Sequence, residues 1–137
     1  MSTIENANVT TTNIRATNVQ DASGGNSNTP AAINSGIVRA WIDFDGSSGS
    51  IGTGNASFNI ASVTDHGTGV YTINIDTDFG SANYVAAGMC GTDNTTTHFI
   101  GTGNVAPAAG ALKIQTVNDG GGSIDCTHIM VMMLGAQ

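Results

Sequence analysis

The sequence predicts an all-β fold: a compact antiparallel β-sandwich or small barrel of about six to seven strands, preceded by an extended N-terminal arm. Three observations carry that reading. Glycine supplies 19 of 137 residues, about twice ordinary usage, and a glycine costs a helix interior about 1 kcal/mol against alanine. Charged residues make up only 9 % of the chain where about 25 % is typical, their place taken by Gly, Asn, Thr and Ser. From Ile37 onward, apolar and polar residues alternate in short runs divided by turn-forming clusters, which is the period of half-buried strands.

Taken in order, IVRAWIDF places Val38, Ala40, Ile42 and Phe44 on one face and Arg39, Trp41 and Asp43 on the other. A Gly/Ser loop, GSSGSIGTGN, follows. In ASFNIASVTD, Ala56, Phe58 and Ile60 share one phase, then Ala61 and Val63 take the other; a β-bulge or a bend in a single strand produces such a slip. DHGTG offers two glycines for positive φ, predicting a hairpin, and the return strand VYTINID points Tyr71, Ile73 and Ile75 to the core. NYVAAGMCGT, ALKIQTVN and THIMVMML are further strands, with THFIG a candidate seventh. The last is apolar on both faces: Ile129, Val131 and Met133 on one, Met130, Met132 and Leu134 on the other. In a chain with one core the second face needs other cover, from a second subunit or from the N-terminal arm.

Residues 1–36 read as the arm and residues 37–137 as the sandwich domain. Residues 1–28 carry isolated Ile4, Val9, Ile14 and Val19, about five apart, which matches neither a helical nor a strand period. Such a segment is either a disordered arm or one ordered by contact with another chain, with these four residues as its candidate contacts. NTPAAINSG then predicts one helical turn, with Thr29 as cap, Pro30 in the first turn and Gly36 closing it.

With 3 basic against 10 acidic residues the net charge is −7. Arg15, Arg39 and Lys113 cannot build a phosphate-neutralising patch, so nucleic acid is excluded as a partner, and so is attraction to anionic lipid. No run approaches the ~18 apolar residues of a membrane span, so no membrane insertion is expected. MSTIENANVTTTNIR has no basic segment leading into an apolar run, so no signal peptide is expected. Cys90 and Cys126 could pair; as residues of apolar strand-like runs they are expected as buried free thiols, the state suited to a reducing cytoplasm.

No pattern of an enzyme emerges. GSSGSIG lacks the spacing of a nucleophile elbow, and no Gly-rich stretch has the dinucleotide or P-loop form. His66, His98 and His128 are far apart in sequence; a Cys90–His128 dyad is conceivable, a buried thiol beside a strand-edge histidine the simpler reading. The acidic pairs Asp43/Asp45 and Asp76/Asp78 lack the further oxygen ligands of a calcium loop, and zinc spacing is missing. No catalytic residue, cofactor or metal is expected.

VRAWIDFDGSSG, followed by ASFNIASVTDHGTGVYTINIDTDFGSANY, resembles the C-terminal modules of tailed-bacteriophage tail-fibre-like proteins. Arg39, Ala40, Trp41, Phe44 and Gly46 match the module's opening. Ser57, Phe58, Asn59 and Ser62 match its second element. Thr64, Asp65, Gly67, Gly69, Tyr71 and Thr72 match its hairpin, and Ala82, Asn83 and Tyr84 its last strand; Ile75 stands where Phe is usual. The match covers residues 13–84. The resemblance implies a non-enzymatic virion structural protein, made in the bacterial host cytoplasm, carried on the particle surface and usually homotrimeric. It implies a tail-fibre-like appendage whose loops meet a host surface glycan or protein; the alternative is a capsid decoration protein or short head fibre anchored by its arm. Asp93, Asn94, Thr95, Thr96, His98 and Phe99 are the candidate receptor-contact loop, and Trp41, Met130, Met132 and Leu134 the candidate subunit interface.

Overall fold

The computed structural model describes residues 28–29, 33–34, 36–48, 51–93 and 96–136. Ile4, Val9, Ile14, Val19, Asn94 and Thr95 lie outside them. The chain divides into two units, Met1–Ile33 and Asn34–Gln137. At the end of the first, the Ile33 amide donates to the Thr29 carbonyl (3.1 Å); residues 30–32 and 35 of the turn expected there lie outside the described residues.

The second unit is all-β. Among the described residues its eight strands are β1 (Val38–Phe44), β2 (Ala56–Phe58), β3 (Ile60–Asp65), β4 (Val70–Ile75), β5 (Val85–Gly91), β6 (His98–Thr102), β7 (Ala111–Asn118) and β8 (His128–Leu134). They form two four-stranded antiparallel sheets, ordered β2-β1-β8-β5 and β3-β4-β7-β6. Between the sheets the alternate residues of facing strands pack into one core. Ala40, Ile42, Phe44, Ile129, Val131 and Met133 come from the first sheet; Ile60, Tyr71, Ile73, Ile75, Leu112 and Ile114 come from the second. The Phe44 and Tyr71 rings meet edge to face at 5.3 Å, the arrangement their quadrupoles favour. The phases read from the sequence for β1, β4 and β8 are the ones observed.

Two expectations are corrected. ASFNIASVTD is not one strand: Asn59, at φ 58°, divides it, and the two pieces join different sheets. β2 pairs with β1 (Trp41 opposite Phe58), while β3 pairs with β4. Phe58 therefore faces water and Ile60 the core. A bulge is also present, one residue later, between Ile60 and Ser62. The strand count becomes eight because of this division and because THFIG is a strand. Cys126, expected within a strand, lies in the loop entering β8; it is fully buried, whereas Cys90 on β5 is half-buried.

Asn59 holds the crossing by side-chain bonds that mimic a backbone partner. Its Nδ2 donates to the carbonyls of Arg39 (3.1 Å) and Thr77 (3.0 Å), and its Oδ1 accepts the Thr77 amide at 2.7 Å. Asn59→Ala removes all three bonds and puts a Cβ-bearing residue without local compensation in the left-handed region, at a cost of about 3 kcal/mol. Asn59→Gly loses the bonds alone and costs about 2 kcal/mol. Urea midpoints falling in the order wild type, Gly, Ala are the expected result; equal losses would show that the backbone conformation contributes nothing.

Candidate functional site

The residues that carry the family resemblance converge on the frame of the sandwich. In the β3–β4 hairpin the Asp65 carboxylate accepts the Gly67 amide (2.8 Å), and the His66 amide donates to the Val70 carbonyl (2.9 Å). Gly69, at φ 70°, sits so close to β7 and its following loop that a Cβ there would lie 2.5 Å from the Thr116 carbonyl oxygen. Its amide donates to Asp125 Oδ1 (2.7 Å), the oxygen that also accepts the Tyr71 hydroxyl (2.7 Å). Tyr71 lies 3.0 Å from the Gly46 carbonyl as well, and a Cβ on Gly46 would strike that hydroxyl at 2.5 Å. Burial and the negative Asp125 carboxylate push the Tyr71 pKa far above the ordinary phenol value, so the hydroxyl stays a donor. Tyr84 stacks on Phe79 at 4.5 Å and donates to the Ala111 carbonyl (3.0 Å). Opening and hairpin are thus tied to each other, and Tyr84 is tied to β7.

Trp41 is the exception. It belongs to an outward row in which cross-strand partners share a face: Phe58, Trp41, Met132 and Ala87, with Met130 beside Met89 and Leu134 beside Val85 in the neighbouring rows. Exposure among the large members runs from 39 % at Trp41 to 67 % at Val85, while Leu134 is half-buried. A groove of about 300 Å3 opens among Trp41, Ala87, Met89, Met130 and Met132, with Asp43 at its border. Three of the four residues expected at a subunit interface are exposed on this face, and Leu134 joins them by register. Phe58, Val85 and Met89 were missed. Phe58 shares a face with Ile60 when the run is read as one undivided strand, and nothing local distinguishes an exposed edge strand such as β5 from a buried one.

The opposite sheet shows water a different surface. Ser62, Thr64, Thr72, Asn74, Lys113 and Gln115 occupy its outer positions by register. Asn74 Nδ2 bridges the hydroxyls of Ser62 and Thr64, both at 3.0 Å, and His66 Nε2 is 2.9 Å from the Thr72 hydroxyl. Such a face is satisfied in solvent and needs no cover.

The candidate contact loop is divided by the structure. Asp93 is exposed and 3.3 Å from His128 Nε2, Thr96 is exposed, and Phe99 stands 55 % exposed on the outer face of β6. His98 instead turns inward in register with Ile100, and its Nε2 is buried with no hydrogen-bond partner among the described residues. Cys90 and His128 do not form a dyad: Cys90 pairs with Ile129, whose side chain is in the core, while His128 lies on the outer face. Asp45 serves its own turn, accepting the Ser47 amide and hydroxyl (2.8 and 2.7 Å), and these bonds hold its pKa below the usual carboxylate value.

Fold and surface together define an all-β sandwich with one apolar and one polar outer face. No family model, curated protein or solved structure matches the chain.

Proposed function

We propose that this chain is a non-enzymatic structural protein of a tailed-bacteriophage particle, a tail-fibre-like surface appendage that self-associates as a homotrimer and presents loops to a host surface glycan or protein. The observation that carries this reading is the asymmetry of the two outer faces. Six large apolar side chains share the outer face of the β2-β1-β8-β5 sheet. They leave on the order of 600 Å2 of apolar surface in water, the top of the range for a monomer's largest patch. The polar face carries side chains already satisfied among themselves. One side is built to be covered by other chains and the other to be seen.

The motif residues support the same reading from the opposite direction. Asp65, Gly67, Gly69 and Tyr71 are spent on a rigid hairpin, which suits a scaffold that holds loops in place. Exposed Asp93, Thr96 and Phe99 mark the surface for host contact, with an aromatic ring and polar neighbours suited to a sugar. A second placement is a capsid decoration protein or short head fibre docked through residues 1–28.

Immuno-gold electron microscopy of the intact particle with antibody against this chain separates the two. Gold at the tail is the expected result and directs the search to receptors. Gold spread over the head establishes the decoration reading, and removal of residues 1–28 then abolishes binding to empty capsids. Particles without gold would overturn both.

A further inference from the structure

We propose that the apolar outer face is a site of reversible sulfur oxidation, where peroxide converts the Met89, Met130 and Met132 thioethers of an unassembled chain to sulfoxides and so bars it from assembly. The inference rests on the reading of this face as the contact between copies of the chain.

Methionine supplies 5 of the 137 residues, and three of the five stand together on this face. Met89 lies opposite Met130 across the β5–β8 pair, and Met132, two residues along β8, lies between Ala87 and Trp41. All three line the groove of about 300 Å3, with exposures from 40 % at Met130 to 64 % at Met89. Met133, on the same strand, is a built-in control: its side chain points the other way and is fully buried. Thioether oxidation follows solvent access, so an oxidant in water meets the three outer sulfurs and not the inner one.

The step is a two-electron oxygen transfer. A sulfur lone pair attacks one oxygen of hydrogen peroxide and the O–O bond breaks. The hydroxide that leaves takes the proton from the new S–OH group, giving a sulfoxide and water. Sulfur is oxidised and peroxide reduced by two electrons each. The product changes the face at three neighbouring points in every chain. A sulfoxide oxygen accepts hydrogen bonds, and burying it without a donor carries the cost of an unpaired polar group. Among the side chains around the groove only Trp41 brings an N–H; Asp43 brings a carboxylate and the others are apolar. In a single chain the same oxygens are solvated, so the oxidised protomer stays folded and fails to associate. Copies that already cover the face shield the sulfurs, so the switch acts on free chains and spares assembled ones. Methionine sulfoxide reductases reverse it, two thiols returning each sulfoxide to the thioether with formation of a disulfide and water.

The test exposes the full chain to hydrogen peroxide at nanomolar and at micromolar chain concentration and quenches with catalase. Peptide mapping by mass spectrometry then locates the added oxygen, and light scattering on the concentrated product gives the mass. The expected result is one oxygen on each of Met89, Met130 and Met132 and none on Met133, gained faster in the dilute sample. The scattering mass should fall to about a third, and both reductases with dithiothreitol should restore it. A chain carrying Met89→Leu, Met130→Leu and Met132→Leu keeps the apolar volume of the face; it should assemble and hold its mass in peroxide, which separates the thioethers from the two thiols. A single-chain mass before any peroxide is added removes the contact reading, and this inference with it. A trimer that gains the three sulfoxides and remains a trimer overturns the inference alone, as does a triple-leucine chain that still dissociates in peroxide.

Discussion

Gly69→Ala is expected to remove a large share of the stability of the domain. Three costs fall on one methyl group. At φ 70° an alanine meets the left-handed penalty of about 1 kcal/mol. Its Cβ would lie 2.5 Å from the Thr116 carbonyl oxygen and 2.9 Å from the Ile124 amide nitrogen, both backbone atoms that no rotamer change can move. Opening that gap also lengthens the Thr116 amide's bond to the Gly69 carbonyl (2.8 Å) and the Gly69 amide's bond to Asp125 (2.7 Å). The sum exceeds about 4 kcal/mol, a loss reserved for such overlapping mechanisms, against the ~5–15 kcal/mol that holds a domain folded. A fall in Tm of about 20 °C follows for a domain of this size. Gly52→Ala is the control, since it shares the positive φ, 59°, but a Cβ there meets nothing within 4 Å; its Tm should drop by only about 5 °C. If calorimetry finds equal losses for the two, close approach to β7 is not what Gly69 provides.

Met132→Glu is expected to dissociate the proposed homotrimer while leaving each protomer folded. Met132 is 46 % exposed at the centre of the apolar face, between Trp41 and Ala87 in register, so a carboxylate there reaches water in a single chain. Buried among neighbouring copies, it would be an unpaired charge costing several kcal/mol at every interface. Covering the face returns about 25 cal/mol per Å2, which over some 600 Å2 is on the order of 15 kcal/mol per protomer. Part of that offsets the lost freedom of association, itself about 4–15 kcal/mol. One buried charge per copy is enough to reverse the balance at micromolar concentration. Light scattering should report about three times 13.8 kDa for the wild type and the single-chain mass for the variant. Lys113→Glu, a larger change of charge on the polar outer face, should leave the mass unchanged. A wild-type mass of one chain would sink the trimer, and the apolar face would then need another covering.

The candidate surface was legible in part, and its misses have a common cause. Trp41, Met130 and Met132 could be assigned from the sequence because strict alternation in β1 and β8 sorts their side chains onto one face wherever those strands lie. Phe58 could not. Its phase continues smoothly into Ile60, and the φ of 58° at Asn59 that separates them leaves no trace in the pattern of apolar residues. Asparagine tolerates that conformation and can tie its own corner, which is the only hint the letters contain. His98 failed in the other direction: the short run THFIG does not say which of its faces meets the core, and pairing with β7 places His98 on the inside.

By itself the sequence determined the class of fold, the strand phases of β1, β4 and β8, the position of the Asp65–Gly69 hairpin and the existence of a last strand apolar on both faces. These are local properties: alternation with period two, turn residues at fixed offsets, and a tally of apolar side chains against the area one core can bury. Only the tertiary structure decided which strands are neighbours, that the second run is shared between two sheets, and that β5 is an open edge. It also decided why the hairpin is spelled as it is, since Gly69 and Tyr71 answer to Asp125, more than 50 residues away. A contact over that separation is set by how two sheets stack and twist against each other, and no periodicity within a single strand encodes it.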